Sequence, residues 1–169
     1  ASTRPHLSFP LLGLLGIDLM SLLVQQLLDP CLESIGRITD LVVCRNIFII
    51  SNDNFCITRW DAANGLSEKI EVARKRSSND TIHRIFMDPT GNHVLIGLSN
   101  EEVYYLHSSS HRPKKISQKL SGLCESVSFM ASKCTTQTTK PFLVGTSEGV
   151  IYELEIESSG REKMCQIVY

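Results

Sequence analysis

The chain has no Cys-x-x-Cys pair, no glycine-rich phosphate loop, no surplus of either charge, and no uninterrupted apolar run of membrane-spanning length. Each absence removes a class of function. The six cysteines (Cys31, Cys44, Cys56, Cys124, Cys134 and Cys165) stand at least ten residues apart, a spacing that matches no zinc site. Six in 169 residues is also too sparse for a disulfide scaffold. Cys44 and Cys56 lie in apolar, strand-like stretches, where a reduced cysteine behaves as a small hydrophobe. The expectation is free thiols in a reducing compartment. Seventeen Lys and Arg against eighteen Asp and Glu leave neither the basic footprint of a nucleic-acid binder nor a polybasic membrane anchor. What remains is an apolar content of 42%, ordinary for a globular chain able to bury a core.

Residues 7–28 are the most apolar stretch. Arg4 and the run from Leu11 to Ile17 imitate the first two parts of a signal peptide, but Asp18 interrupts the core and no Ala-x-Ala-like site follows. Pro10, Asp18, Gln25 and Gln26 also weaken it as a membrane span, which needs about 20 predominantly apolar residues. Leu15, Leu19, Leu22 and Leu23 recur at helical spacing. Ile17 to Leu28 therefore reads as a short apolar α-helix, packed or partner-facing, that ends before Pro30. A targeting segment and a non-native extension are the alternatives. The predicted division is residues 1–29 as an N-terminal helix or extension and 30–169 as a second region.

Beyond Pro30 the pattern changes to short β-type runs that repeat. Ser51, Ser99 and Ser147 stand 48 residues apart. Each follows an apolar run (Ile47 to Ile50, Val94 to Leu98, Phe142 to Thr146) and precedes a polar turn and a second run, beginning at Phe55, Val103 and Val150. This is the signature of a hairpin. An earlier strand precedes each hairpin, starting at Ile38, Ile82 and Cys124, with periods of 44 and 42 residues. In the second copy Asp88-Pro89-Thr90-Gly91 places Pro and Gly where a type I turn favours them. Fourth strands are predicted at Glu68 to Ala73 and at Lys114 to Leu120. Four short strands per repeat is the arithmetic of a β-propeller blade; an evenly spaced β-sandwich is the competing fold. Propellers close with about 4–8 blades, so three repeats predict an all-β, partial WD40-like propeller.

Several motifs resemble chemistry without its context. Gly145-Thr146-Ser147-Glu148-Gly149 matches a nucleophile elbow, which requires a helix after the Ser and a later His. The residues that follow alternate as a strand, and no histidine follows His111. His107 and His111 have zinc-helix spacing, yet three serines and Pro113 make that stretch a loop. His83 and His93 have no acidic or Cys partner at ligand spacing. Arg74-Lys75-Arg76 and Lys114-Lys115 are short and read as solvated loops. No catalytic, metal or cofactor residue is expected. The residues expected to matter are structural: Asp88, Pro89 and Gly91 at a turn, Gly145 and Gly149 at a hairpin, and Tyr104, Tyr105 and Tyr152 on strands.

Residues 82–106, IHRIFMDPTGNHVLIGLSNEEVYYL, with Glu125 to Phe129 and PFLVGTSEGVIYELE at 141–155, resemble the β-propeller of the deep-orange family of class C vacuolar protein-sorting subunits. The resemblance extends over residues 28–157 and includes RITDLVV at 37–43. It implies a non-enzymatic interaction scaffold from a subunit shared by the HOPS and CORVET tethering complexes, which act in endosome-to-lysosome or vacuole trafficking and membrane fusion. It further implies other class C tethering subunits as partners, indirect association with endosomal and lysosomal membranes, a cytoplasmic and peripheral location, no cofactor and no nucleic acid. Family members continue into an α-solenoid and a RING-like zinc domain, for which these residues hold no counterpart. A WD40-like adaptor unrelated to vesicle tethering is the alternative.

Overall fold

A computed structural model describes residues 37–73 and 79–169. The predicted N-terminal helix and the Arg74-Lys75-Arg76 cluster lie outside them. Arg37–Tyr169 forms a unit by itself, and its described residues carry twelve strands and no helix. The first sheet holds β1 (Ile38–Cys44), β2 (Ile47–Asn52), β3 (Cys56–Asp61) and β4 (Leu66–Glu71). The second holds β5 (Ile82–Met87), β6 (His93–Leu98), β7 (Val103–His107) and β8 (Lys114–Lys115). The third holds β9 (Cys124–Ser128), β10 (Phe142–Thr146), β11 (Ile151–Ile156) and β12 (Glu162–Ile167). Each sheet is a four-stranded antiparallel meander in chain order, the form of a propeller blade. The fold is a partial β-propeller.

Alternation within the strands builds two cores rather than one. Ile49, Ile57 and Ile70 of the first sheet pack against Ile85, Ile96 and Leu106 of the second. Leu95, Val103 and Ile116 leave the opposite face of the second sheet and meet Phe142, Tyr152 and Leu154 of the third. Neighbours such as Leu95 and Ile96 therefore serve different cores, because successive side chains point to opposite faces. Fully burying each such side chain is worth about 1.5–3 kcal/mol. The first strands β1, β5 and β9 lie side by side across the sheets, which makes them the inner strands.

The fourth strands differ from expectation. β4 begins at Leu66 rather than Glu68, and β8 spans only Lys114–Lys115. After one more ladder bond, from the Ile116 N–H to the Val103 carbonyl (2.9 Å), the chain turns inward and buries Ile116 and Leu120 in the second core. Burial of two large side chains there outweighs continued pairing at an edge. β12 fell outside the predicted strands; its residues alternate weakly, and only pairing with β11 organises them.

Candidate interaction surface

The three blades share one turn. The N–H of Phe55, Glu101 and Gly149 donates to the carbonyl of Asn52, Leu98 and Thr146, at 3.3, 3.2 and 3.0 Å. All three residues have left-handed backbone, with φ of 63°, 66° and 76°, as in a type I turn closed by a G1 bulge. Phe55 therefore belongs to the turn, not to the strand predicted to begin there. Two residues ahead of this position stand Asp53, Ser99 and Ser147. Their side-chain oxygens each accept the N–H of the residue that opens the blade: Arg37, Thr81 and Leu123, all at 2.9 Å. The 48-residue alignment thus holds for Ser99 and Ser147 but places Ser51 two residues early; Asp53 is its true counterpart. Ser51 instead bonds the Thr39 hydroxyl (2.8 Å) inside the sheet. Ser147 sits in a turn that leads into β11, so the strand–turn–helix of a nucleophile elbow does not form there.

Asp88 organises the turn between β5 and β6. Fully buried, its carboxylate accepts N–H bonds from Thr90 (3.0 Å), Asn92 (2.9 Å) and His93 (2.8 Å). Pro89 presents its carbonyl to the Cys44 thiol at 3.2 Å. Gly91 has φ 77° and faces Cys44 and Ile47 of the first blade. The turn is therefore also a joint between blades.

A histidine pair lies beside it. His93 and His107 are cross-strand partners on β6 and β7, with ring centroids 5.3 Å apart. Each Nε2 meets a backbone carbonyl of the β9–β10 loop, Thr135 at 2.6 Å and Thr136 at 2.9 Å. A carbonyl only accepts, so both Nε2 atoms carry hydrogen. In the neutral rings Nδ1 then accepts, from the Tyr105 hydroxyl (2.7 Å) and the Ser109 hydroxyl (2.7 Å). Burial holds the His93 imidazole below its ordinary value, against opposing pulls from Thr135 and Asp88. Burial and then Asp88 push the Tyr105 phenol up. The pair clamps the long loop of the third blade onto the second.

Polar groups also cross both blade boundaries. Asp40 accepts the Ile85 N–H (2.9 Å) between the first and second inner strands. Glu125 of β9 joins His83 (3.0 Å) and Arg84 (3.3 Å) of β5. Farther out, Glu68 pairs with Arg59 (2.6 Å) and with His111, and Arg59 reaches the His107 carbonyl (3.3 Å). Burial alone would raise the Glu68 carboxyl, but hydrogen bonds from His111 and Arg59 and the Arg59 charge outweigh it and hold it low. This network separates two grooves between the first and second blades. One, about 650 Å³, is lined by Ile70, Val72, Tyr104 and Pro113; the other, about 620 Å³, by Ile47, Leu66, Thr90 and Asn92.

The remaining predicted residues serve packing. Tyr104 donates to Glu102 (3.1 Å); burial, reinforced by that carboxylate, pushes its phenol up to about 12. Tyr152 accepts the Ser121 N–H at 2.9 Å. Gly145 lies opposite Ser126 of β9, and Gly149 closes the shared turn. Of the predicted set, Asp88 and Tyr105 come together on His93, Pro89 and Gly91 of the same turn face Cys44, and Gly145, Gly149 and Tyr152 share the β10–β11 hairpin. His93 with His107, and Glu68 with Arg59, stand outside that predicted set. Hairpin register carries the signal for both, since His93 opposes His107 and Arg59 opposes Glu68. Among the described residues no three His, Cys, Asp or Glu side chains gather as metal ligands.

Residues 24–169 match the family model of the Pep3/Vps18/deep orange β-propeller domain. The chain belongs to that family. The matched stretch takes in every described blade of the propeller. "Vacuolar sorting protein 18" of Arabidopsis thaliana is 27% identical over 138 residues, covering 79% of this chain and 14% of the relative. "Vacuolar protein sorting-associated protein 18 homolog" of Danio rerio is 34% identical over 124 residues, covering 73% of this chain and 12% of the relative. The chain thus spans only a small share of the relatives it matches.

Proposed function

We propose that this propeller segment is a non-enzymatic interaction scaffold of a class C vacuolar sorting subunit, acting within the HOPS and CORVET tethering complexes. The reading is carried by the family match over residues 24–169. Two curated relatives named for vacuolar sorting support it. Blade edges, loops and inter-blade grooves bind other class C subunits, and membranes of late endosomes, lysosomes or vacuoles are reached indirectly through them. The function is binding, with no bond made or broken. The test is affinity purification of the tagged full-length protein from cells, followed by mass spectrometry. Recovery of the other class C subunits is expected; recovery of an unrelated partner set with none of them would leave a WD40-like adaptor instead. Ser147→Ala should leave that recovery unchanged, because the hydroxyl caps a turn.

A further inference from the structure

β4 is the outer edge of the first sheet, and its backbone bonds on one side. The Val72 N–H donates to the Phe55 carbonyl (3.4 Å), which fixes the phase of the β3–β4 ladder. In an antiparallel pair, alternate residues bond the neighbouring strand. With Ile57 opposite Ile70 and Arg59 opposite Glu68, the residues that bond β3 are Glu68, Ile70 and Val72. Ser67, Lys69 and Glu71 therefore turn their N–H and carbonyl groups away from β3. Among the described residues no strand pairs with that side. Such a row is a template for one more strand.

The same edge forms one wall of the groove of about 650 Å³. Side chains alternate across a strand, and Ile70 and Val72 of β4 face the second blade. Tyr104 and Pro113 line the opposite wall. β8 stops after Lys115 and the chain turns inward at Ile116, so the second blade sends no long outer strand along that wall. A strand added to β4 would direct every second side chain into the apolar groove and the others outward beside Ser67, Lys69 and Glu71. Charge narrows the occupant. Arg59 and His111 already pair with Glu68. Lys69, Arg112 and Glu71 make no ion pair among the described residues, and these two cations outnumber the one anion. Two copies of the edge paired about Lys69 would set lysine against lysine, and like charges directly opposite are destabilising.

We propose that the β4 edge takes up an extended apolar–acidic peptide of a partner protein as a fifth strand of the first sheet. Main-chain bonds to Ser67, Lys69 and Glu71 supply affinity, and alternate side chains supply specificity. The apolar ones enter the groove over Ile70 and Val72, and a carboxylate stands opposite Lys69. The inference rests on the reading of the propeller as a binding scaffold and does not depend on tethering.

The test is fluorescence anisotropy of the labelled peptide Leu-Ser-Leu-Asp-Leu-Ser-Leu against the full-length protein. Its leucines face the groove and its aspartate opposes Lys69. Saturable binding is expected, about fivefold tighter than with lysine in place of the aspartate. Strand addition makes a sharper demand. N-methylation of the aspartate amide, which points at β4, should weaken binding roughly tenfold. N-methylation of a neighbouring leucine amide, which points away, should have little effect. Lys69→Pro removes an outward N–H and no ladder bond; it should lose binding with an unchanged far-UV circular dichroism spectrum. Lys69→Glu should reverse the preference between the aspartate and lysine peptides. No saturable binding, or equal losses from the two N-methyl patterns, would overturn the proposal. So would dimers that Lys69→Pro dissociates, which would make a second copy the occupant. Should the peptide fail while the other class C subunits still co-purify, this inference falls and the scaffold reading stands.

Discussion

Glu101 holds left-handed backbone at the turn where Gly149 does the same without a side chain. An L side chain there costs about 1–2 kcal/mol, and the Glu101–Lys119 ion pair (3.0 Å) is exposed and returns little. Glu101→Gly should therefore stabilise the chain by about 0.5–1 kcal/mol, and Gly149→Ala should destabilise it by about 1 kcal/mol, both read from urea midpoints. Nothing lies within 4 Å of a Cβ at Gly149, so that cost is conformational and not steric. Phe55 cannot be exchanged the same way, because its ring is buried in the first core. His93 sets the pH response. Its folded value is depressed from 6.5, so the unfolded chain binds a proton that the folded chain resists. Stability is then complete above pH 6.5 and falls as pH drops below it. Glu68 and Glu102 are depressed from 4.5, so their contributions are lost only toward and below that pH. Urea midpoints between pH 6.5 and 4.5 should thus decline, and His93→Gln should flatten the decline.

At the scale of elements, turns and joints between blades carry more consequence than any strand. Asp88→Ala removes the acceptor for three N–H groups in a buried turn and should cost about 1–3 kcal/mol or more. Gly97→Val drives a branched side chain into Cys124 at 3.1 Å and should cost about 1–3 kcal/mol; a midpoint within error of the parent would contradict the close approach. Most strands were legible in sequence, since apolar alternation between turn residues is a local signal. Asp88, Pro89 and Gly91 were legible for the same reason. β8 was not: Ile116 and Leu120 read as a strand and are instead drawn into a core assembled by another sheet. Ser51 misled because its apolar neighbours repeat, while the residue that clasps the turn, Asp53, shares a role but not a side chain with Ser99.

At the scale of the molecule, two internal interfaces are complete and the third sheet shows its apolar face. Residues 30–169 expressed alone should aggregate or stay loosely packed, with dye-accessible apolar surface and a broad melt. A sharp, reversible, two-state melt of a monomer would contradict this. The sequence by itself determined the repeat, most of the strands and the family, because strand alternation and turn residues are signals carried by residues close together in the chain. Only the tertiary structure decided that Leu95 is buried while Leu143 is exposed, and that His93 and His107 clamp Thr135 and Thr136. Both outcomes depend on which sheet stands next to which side chain, a contact between residues tens of positions apart that no local pattern encodes.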